Sequence, residues 1–461
     1  MIDVKTIKKV VYDLCVQANT TLPDDVFTKI LNAYNSEKNS DAKQALGLIL
    51  QNAQMACEKK MPLCQDTGQV LVFLKGKCFP ENTYDAINEG VKKAYEENFF
   101  RKSTVKNALF DRTNTQTNTP CVIYTEITNS DDIEIELLIK GAGSENVSAA
   151  QMLSPTASEE EILEFAVSVV KKAGSKGCPP YFIGIGIGGT IECAGILSKK
   201  ALLLDENIDE NHENLAQKIK NAVNKLNIGT AGLGGTSTAL DVKILTGFTH
   251  IACMPVAVTV NCHSSRHAKN IIDRTGRVHL CTTKNKKAKS NVGLKAQPTV
   301  KVKTSEIKQI QFKQGQNVLL SGEIYTARDA AHKRIVEMLQ KGEKLPFDLK
   351  DKVIFYAGPC PCQEPCIVGS IGPTTSARMD KFAPILYKNG VIATIGKGER
   401  SEEVKKAIKQ TGGVYFTVIG GIACYLSEKF KKKELIAFED LGTEAVCRFE
   451  VEGLPLRVEL C

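Results

Sequence analysis

No apolar run in this sequence approaches the ~18 residues that a membrane-spanning helix needs, so no span is expected. The first residues, MIDVKTIKKVVYDL, lack the uninterrupted apolar core of a secretory signal, because Asp3 and Lys5 fall where that core would stand. They also lack Arg and carry acids, against the pattern of a mitochondrial transit peptide, and a cytoplasmic location is the expectation. There is no tandem repeat. The bias of disordered or collagen-like chains is missing too, since 43% hydrophobic and 24% charged residues are ordinary proportions for a folded protein. A folded chain of 461 residues is too long for one ordinary core, so two or three domains are expected.

A formal charge of +8 invites a polyanion partner, but seven of those charges are Lys284, Lys286, Lys287, Lys289, Lys295, Lys301 and Lys303, all in one acid-free stretch. That stretch has no interleaved aromatic residues, which a nucleic-acid groove requires, and no hydrophobic period; it reads as an exposed connector, and no nucleic-acid partner is expected. Sixteen cysteines without an export signal argue against a disulfide framework and for burial or metal ligation.

The order of elements follows from periodicity. IKKVVYDLC and DAKQALGLILQNAQMACEKK repeat apolar residues at helical spacing, the second after a cap at Asn39 or Ser40, and Pro62 closes this helical start. Strand-like runs (QVLVFL, IEIELLI, YFIGIGI, PVAVTV) then alternate with helical ones, including SEEEILEFAVSVVKKA with Ser158 and Glu161 as a capping box. The expected fold class is α/β in two domains: residues 1–283 with the helical start, a connector over 284–303, and a smaller α/β unit over 304–461. The smaller unit runs from VLLSG through the helix AAHKRIVEMLQKG, VIFYAG, a helix near Arg378 and VIATIG to the β-rich CRFEVEGLPLRVEL.

Four segments could carry chemistry. Gly184, Gly186 and Gly189 satisfy G-x-G-x-x-G after an apolar strand, with Asp205 downstream, so a nicotinamide-dependent dehydrogenase is one reading and a tight turn of small residues the other. GTAGLGGTSTAL lacks the Lys-Ser/Thr of a phosphate-binding loop and reads as a turn or an anion-binding nest. Cys360, Cys362 and Cys366 are the one closely spaced thiol group, which a local metal clip requires, yet Pro359, Pro361 and Pro365 also suit a stiff loop whose thiols fill space. In CQDTG, Cys64 to Gly68, a thiol stands beside an amide, a carboxylate and a hydroxyl, the mixture a site collects, although Asp-Thr-Gly is also a plain turn.

Taken in order, CQDTGQVLVFL, KGAGSEN, KGCPPYFIGIGIGGT, GLGGTSTALDVKI and THIACMPVAVTVNCHSSRHA resemble the α part of class I fumarases. SGEIYTARDAAHKR, YAGP, VGSIGPTTSARMD and GKGERS resemble the β part, which implies a swivelling β/β/α second domain, with the lysine stretch as the joint of a fusion. The resemblance implies a hydro-lyase acting on fumarate and malate, with tartrate, mesaconate or citramalate as alternative substrates, working as a homodimer. It implies a [4Fe-4S] cluster held by Cys64, Cys178 and Cys262, the last preferred to Cys253, leaving one iron open as a non-redox Lewis acid. It assigns the dicarboxylate to Gln65, Arg101, the Gly143 backbone, Arg328, Arg378 and Lys397, with Arg112 a neighbour that competes with Arg101. It makes Thr374 the proton-abstracting group and puts Asp66 and His250 on the acid side, with His332 structural. The thiols of PCPCQEPC depart from the family pattern.

Overall fold

A computed structural model describes residues 2–281 and 299–461, so the lysines between 284 and 298 lie outside the described residues. The chain is a mixed α/β protein with three sheets that divides into two compact units, Met1–Val292 and Gly293–Cys461. Among the described residues no helix is long and apolar enough to cross a membrane.

The first unit opens with helices α1 (Val4–Thr20), α2 (Asp24–Ser36) and α3 (Ser40–Lys59). The Asn39 side chain caps α3 by accepting from the Asp41 and Ala42 amides, as the sequence suggests. Strand β1 (Gln69–Gly76), helix α4 (Thr83–Glu97) and strands β2 (Val122–Ile127) and β3 (Ile133–Lys140) follow. After a one-turn helix α5 (Ala142–Glu145) come β4 (Ala149–Leu153), α6 (Glu159–Ala173), β5 (Tyr181–Gly189), α7 (Ile191–Ala201) and α8 (Glu210–Asn224). Strands β6 (Ala239–Thr249), β7 (Met254–Asn261), β8 (Arg266–Ile272) and β9 (Val278–Leu280) complete the unit. Two sheets result, ordered β2-β1-β3-β8-β9 and β4-β7-β5-β6.

The apolar period of α1 puts Ile7, Val10, Val11 and Leu14 in one core with Val70 and Val72 of β1 and Ile135 and Leu137 of β3. In the second sheet Ile183 and Ile185 share a core with Ile162 and Val169 of α6 and Ile219 of α8. The alternate residues of that strand, Gly184 and Gly186, face the other way, and there a Cβ would stand 2.0 Å from the carbonyl oxygens of Ser198 and Ala194 in α7. These glycines are therefore required by a helix backbone lying directly on the strand. A dinucleotide fingerprint places its glycines in the turn after the strand, so the dehydrogenase reading loses its support.

The second unit contains β10 (Thr299–Lys303), β11 (Asn317–Thr326), α9 (Asp329–Gln340), β12 (Val353–Phe355), α10 (Ala383–Lys388), β13 (Ala393–Gly396), α11 (Glu402–Thr411), β14 (Val414–Thr417), α12 (Ala423–Ser427), β15 (Phe430–Ala437) and β16 (Val446–Leu460). Residues 299–303, read from the sequence as the end of the connector, instead pair in parallel with β11 from Thr299 to Lys303. Strands β11, β12, β13 and β14 are parallel neighbours. The fifteen-residue β16 pairs antiparallel with β14 and again with β11, so the strands close on themselves. The helix expected near Arg378 is a single 3-10 turn, Ser376–Met379.

Candidate active site

In the first unit Cys64, Gln65 and Asp66 lie in the turn between α3 and β1, after the break at Pro62. The Cys64 thiol donates to the amide oxygen of buried Gln65 at 3.4 Å. The Asp66 carboxylate accepts from the Gly68 amide (3.1 Å) and, at its other oxygen, from the Ala142 amide (2.9 Å), which ties the turn to α5 and the Gly143 backbone. Arg101 stands 3.4 Å from the same carboxylate, whereas its sequence rival Arg112 donates to the Ala108 carbonyl on an exposed loop. Burial alone would raise the Asp66 pKa, but Arg101, Arg266 and the two amides more than offset it and hold the carboxyl below its usual value. Gly141 has to be small here, because a Cβ would come within 3.3 Å of both Arg266 and Asp66.

Cys178 follows α6 in a left-handed conformation, φ +61°, a conformation that a non-glycine residue holds only where its surroundings enforce it. Cys262 directly follows β7, and the amide of the next residue, His263, donates to the Cys178 carbonyl at 3.4 Å. Cys262 lies within electrostatic reach of Cys64 and has Cys178 within its own. Burial pushes the Cys64 thiol up to about 12, with Arg266 opposing and Asp66 and Cys262 adding to the rise. Burial likewise raises Cys262, with Cys178 adding and Arg266 and Lys140 opposing. Two residues in this neighbourhood escaped the sequence reading. Arg266 is buried and donates to the Asp66 carbonyl (2.7 Å) and to Asn19 (3.2 Å). Lys140 is buried, donates to the Val260 carbonyl (2.6 Å) and Ser144 (2.9 Å), and is lowered to about 8 by burial against the pull of Glu145. Both stand inside motifs already singled out, KGAGSEN and NCHSSRHA, and a cation next to an apolar strand was the available signal.

His250 is not brought to this group within the chain. It lies with Cys253 between β6 and β7, its Nδ1 accepting from the Ala252 amide at 3.1 Å, while Cys262 follows the far end of β7. A strand of eight residues spans ~26 Å at ~3.3 Å per residue. The twelve-residue spacing in sequence therefore separates His250 from Cys262, and Cys253 with it. The glycine-rich segment after α8 is a nest, and it is filled by the protein's own carboxylate. Gly229, Ala231, Gly232, Gly234 and Gly235 all have positive φ, and Glu37 accepts from the Thr236 amide (2.9 Å) and hydroxyl (3.1 Å).

In the second unit the predicted residues come from the loops that leave β11, β12 and β13 at their C-terminal ends, where ligands bind in parallel sheets. Arg328 precedes α9 and lies 3.5 Å from Glu444; Gly358 leaves room for it, since a Cβ there would meet the guanidinium at 2.9 Å. Thr374 is anchored through its amide to the Tyr356 carbonyl (2.7 Å), and its hydroxyl accepts from Arg378 at 3.2 Å. Asp329 orients Arg378 with a two-toothed pair, 2.9 Å to Nε and 2.5 Å to Nη2. Lys397 is joined to the same segment by backbone pairing with Thr375, and its amide donates to the Ser376 hydroxyl at 3.1 Å. Behind these loops Arg400 is buried against Asp380 (2.7 Å) and between the Tyr356 and Tyr415 rings. His332 is buried, bonded to the Arg328 carbonyl (2.8 Å) and lowered to about 4 by burial, a placement that suits a structural role or support of Arg328. Among the described residues no group of three or more His, Cys, Asp or Glu is arranged to hold a single metal ion, and that covers Cys64, Cys178 and Cys262 as well as Cys360, Cys362 and Cys366.

The pattern of the family described as fumarate hydratase (Fumerase) matches residues 8–271, and that of the fumarase C-terminus matches residues 270–460. Fumarate hydratase 1, mitochondrial, of Leishmania major is 31% identical over 452 residues, 92% of this chain and 82% of that protein. The anaerobic class I fumarate hydratase of Escherichia coli (strain K12) is 30% identical over 451 residues, again 92% and 82%. A putative L(+)-tartrate dehydratase subunit alpha of Methanocaldococcus jannaschii is 41% identical over 276 residues, 57% of this chain and 96% of that protein.

Proposed function

Because the chain belongs to the fumarate hydratase family, we propose that it is a class I hydro-lyase that reversibly hydrates fumarate to (S)-malate. The observation that carries the proposal is that the loops bearing Cys64, Cys178 and Cys262, remote in sequence, are tied together: the His263 amide donates to the Cys178 carbonyl (3.4 Å), Arg266 donates to the Asp66 carbonyl (2.7 Å), and Lys140 donates to the Val260 carbonyl (2.6 Å). The donor set suits a [4Fe-4S] cluster. Each thiolate of such a cluster binds a different iron, so no three of them need converge on a single ion. Burial raises Cys64 and Cys262, so binding of a cation would have to displace their protons, and the two neighbouring cations suit the negative charge of a thiolate-bound cluster. When bound, the cluster supplies a Lewis acid at its open iron that makes the malate hydroxyl a better leaving group.

The remaining steps belong to side chains. Arg328, Arg378 and Lys397, with Arg101 and Gln65, neutralise and orient the two carboxylates, which stabilises the charge that develops on the carboxylate next to C3. Thr374 exchanges the C3 proton, and its hydroxyl needs the adjacent Arg378 to favour its ionised form. Asp66, held below its usual pKa, is ionised at neutral pH and so is ready to take the proton of the attacking water in the hydration direction; by microscopic reversibility its protonated form returns it to the leaving hydroxyl. We assign no step to His250. The swivelling second domain, a homodimeric state and a cytoplasmic location complete the proposal.

A second reading has its own support: the 41% identity to a putative tartrate dehydratase subunit favours the same chemistry on tartrate. The test is turnover by anaerobically purified, iron-reconstituted protein on fumarate, (S)-malate, tartrate, mesaconate and citramalate. Fumarate and malate are expected to give the highest kcat/KM. A preference for tartrate would replace the leading reading, and inertness toward all five acids would remove both.

A further inference from the structure

The thiols of Cys360, Cys362 and Cys366 take no part in the proposed reaction, yet they are held in a defined arrangement. The loop carrying them is pinned at its base, where the Cys360 amide donates to the Ser370 carbonyl at 2.9 Å. Gly369 keeps that base closed, because a Cβ there would come within 2.5 Å of the Pro361 carbonyl and 2.6 Å of the Cys360 carbonyl. Beyond the base the chain turns back through the Cys366 amide, which donates to the Gln363 carbonyl at 3.0 Å. The turn lets the Cys362 thiol donate to the Cys366 carbonyl at 3.2 Å, while the Cys366 thiol donates to the Val368 carbonyl at 3.2 Å, so both sulfurs lie on the same short turn. Cys360 is buried at the base, Cys362 is half-buried and Cys366 is exposed, so one thiol of the pair meets solvent while the other waits behind it. Burial first, and the neighbouring Cys366 side chain second, push the Cys362 thiol up to about 12.

We propose that Cys366 and Cys362 form a thiol–disulfide exchange site for low-molecular-weight disulfides, with Cys366 as the attacking sulfur and Cys362 as the resolving one. The Cys366 thiolate attacks one sulfur of the small disulfide, breaks its S–S bond and releases one small thiolate, leaving a mixed disulfide. Cys362 then gives up its proton and attacks the Cys366 sulfur, expelling the second small thiolate. Two cysteine thiols are oxidised to one disulfide, the small disulfide is reduced to two thiols, and the two cysteine protons end on those thiols. The product closes a ring within residues 362–366, on a loop that runs through Ser370 into Thr374. On the reading of Thr374 given above, the ring restrains the approach to that hydroxyl and lowers turnover.

The test uses the full-length protein, handled without oxygen and exposed to glutathione disulfide, then acid-quenched, alkylated with N-ethylmaleimide and mapped by mass spectrometry. Both alkylations at 362 and 366 are expected to be lost to an internal disulfide, and dithiothreitol should restore them. Cys362→Ser should stop at a mixed disulfide on Cys366, and Cys360→Ser should leave the pairing unchanged. Full alkylation of both residues while exposed Cys193 is glutathionylated overturns the site, as does pairing of Cys366 with Cys360. The mapping does not depend on the proposed activity. Turnover on fumarate is then compared between oxidised wild type and oxidised Cys366→Ser: a several-fold loss in wild type alone supports the restraint on Thr374, and equal rates overturn it.

Discussion

The two units assemble their candidate groups by different routes. In the first, Cys64, Cys178 and Cys262 follow α3, α6 and β7 in turn, and only tertiary packing brings these half-buried thiols to the neighbourhood of Arg266 and Lys140. In the second, Arg328, Thr374, Arg378 and Lys397 leave consecutive parallel strands at one end of a sheet, and local backbone pairing such as Thr375 with Lys397 is enough to align them. The first arrangement gathers half-buried soft donors beside buried cations. The second is a rim of cations around a hydroxyl, with Arg378 about half exposed, suited to a diffusing acid.

The sharpest way to break this contrast is to remove one group from each unit and measure iron and turnover together. Cys64→Ser, Cys178→Ser or Cys262→Ser should lose cluster iron and reduce turnover by more than ~100-fold, since a Lewis acid contributes several kcal/mol. Cys253→Ser should keep both. Thr374→Ala should keep its iron and lose roughly 10²–10⁴ in kcat, the usual range for a group that transfers a proton. Iron lost on changing Thr374, or retained on changing Cys262, would erase the division of labour.

Next in size comes Gly186→Ala. The added methyl carbon would stand 2.0 Å from the Ala194 carbonyl, so α7 has to move, and a loss of about 3 kcal/mol or more in denaturant titration is expected. Unchanged stability would reopen the nucleotide reading of that segment.

In the second unit His332 should set part of the acid limit. Its ring is lowered from 6.5 to about 4 by burial, so the unfolded chain binds more protons there than the folded chain between those values. The stability associated with the neutral ring is complete above pH 6.5 and is lost as pH falls through about 4, by about 3 kcal/mol. His332→Phe should therefore show a shallower decline over that window; an identical pH profile would count against the assignment.

The smallest effect expected is at the filled nest of the first unit. Glu37→Ala strands the Lys38, Asn39 and Thr236 amides that now donate to its carboxylate, at a cost of about 1–3 kcal/mol by thermal or chemical unfolding. If phosphate then stabilised the variant by more than the parent, the nest would prove able to take an external anion.

Local signals were read well because they are local. The capping box of Ser158 and Glu161 opens α6, with both of its reciprocal bonds present. The apolar runs QVLVFL, IEIELLI, YFIGIGI and PVAVTV each became a strand. Errors arose where the partner was distant. TVKVK was counted with its lysine-rich neighbours and became a strand only because β11 offered it an edge. The glycines of β5 satisfied a motif by spacing, yet they answer to the backbone of α7. His250, assigned by the resemblance, lies at the opposite end of β7 from Cys262, a separation that the twelve intervening positions do not reveal.

By itself the sequence determined the kinds of element, their order, the family and the inventory of thiols, cations and hydroxyls, because periodicity, caps and ordered motifs are properties of neighbouring residues. Which thiols face one another, which cations are buried beside them and which carboxylate stays ionised were decided by the tertiary structure alone. Burial and charge act through space, and Asp66 is drawn into its ionised state by Arg101 and Arg266, the second of them two hundred residues further along the chain.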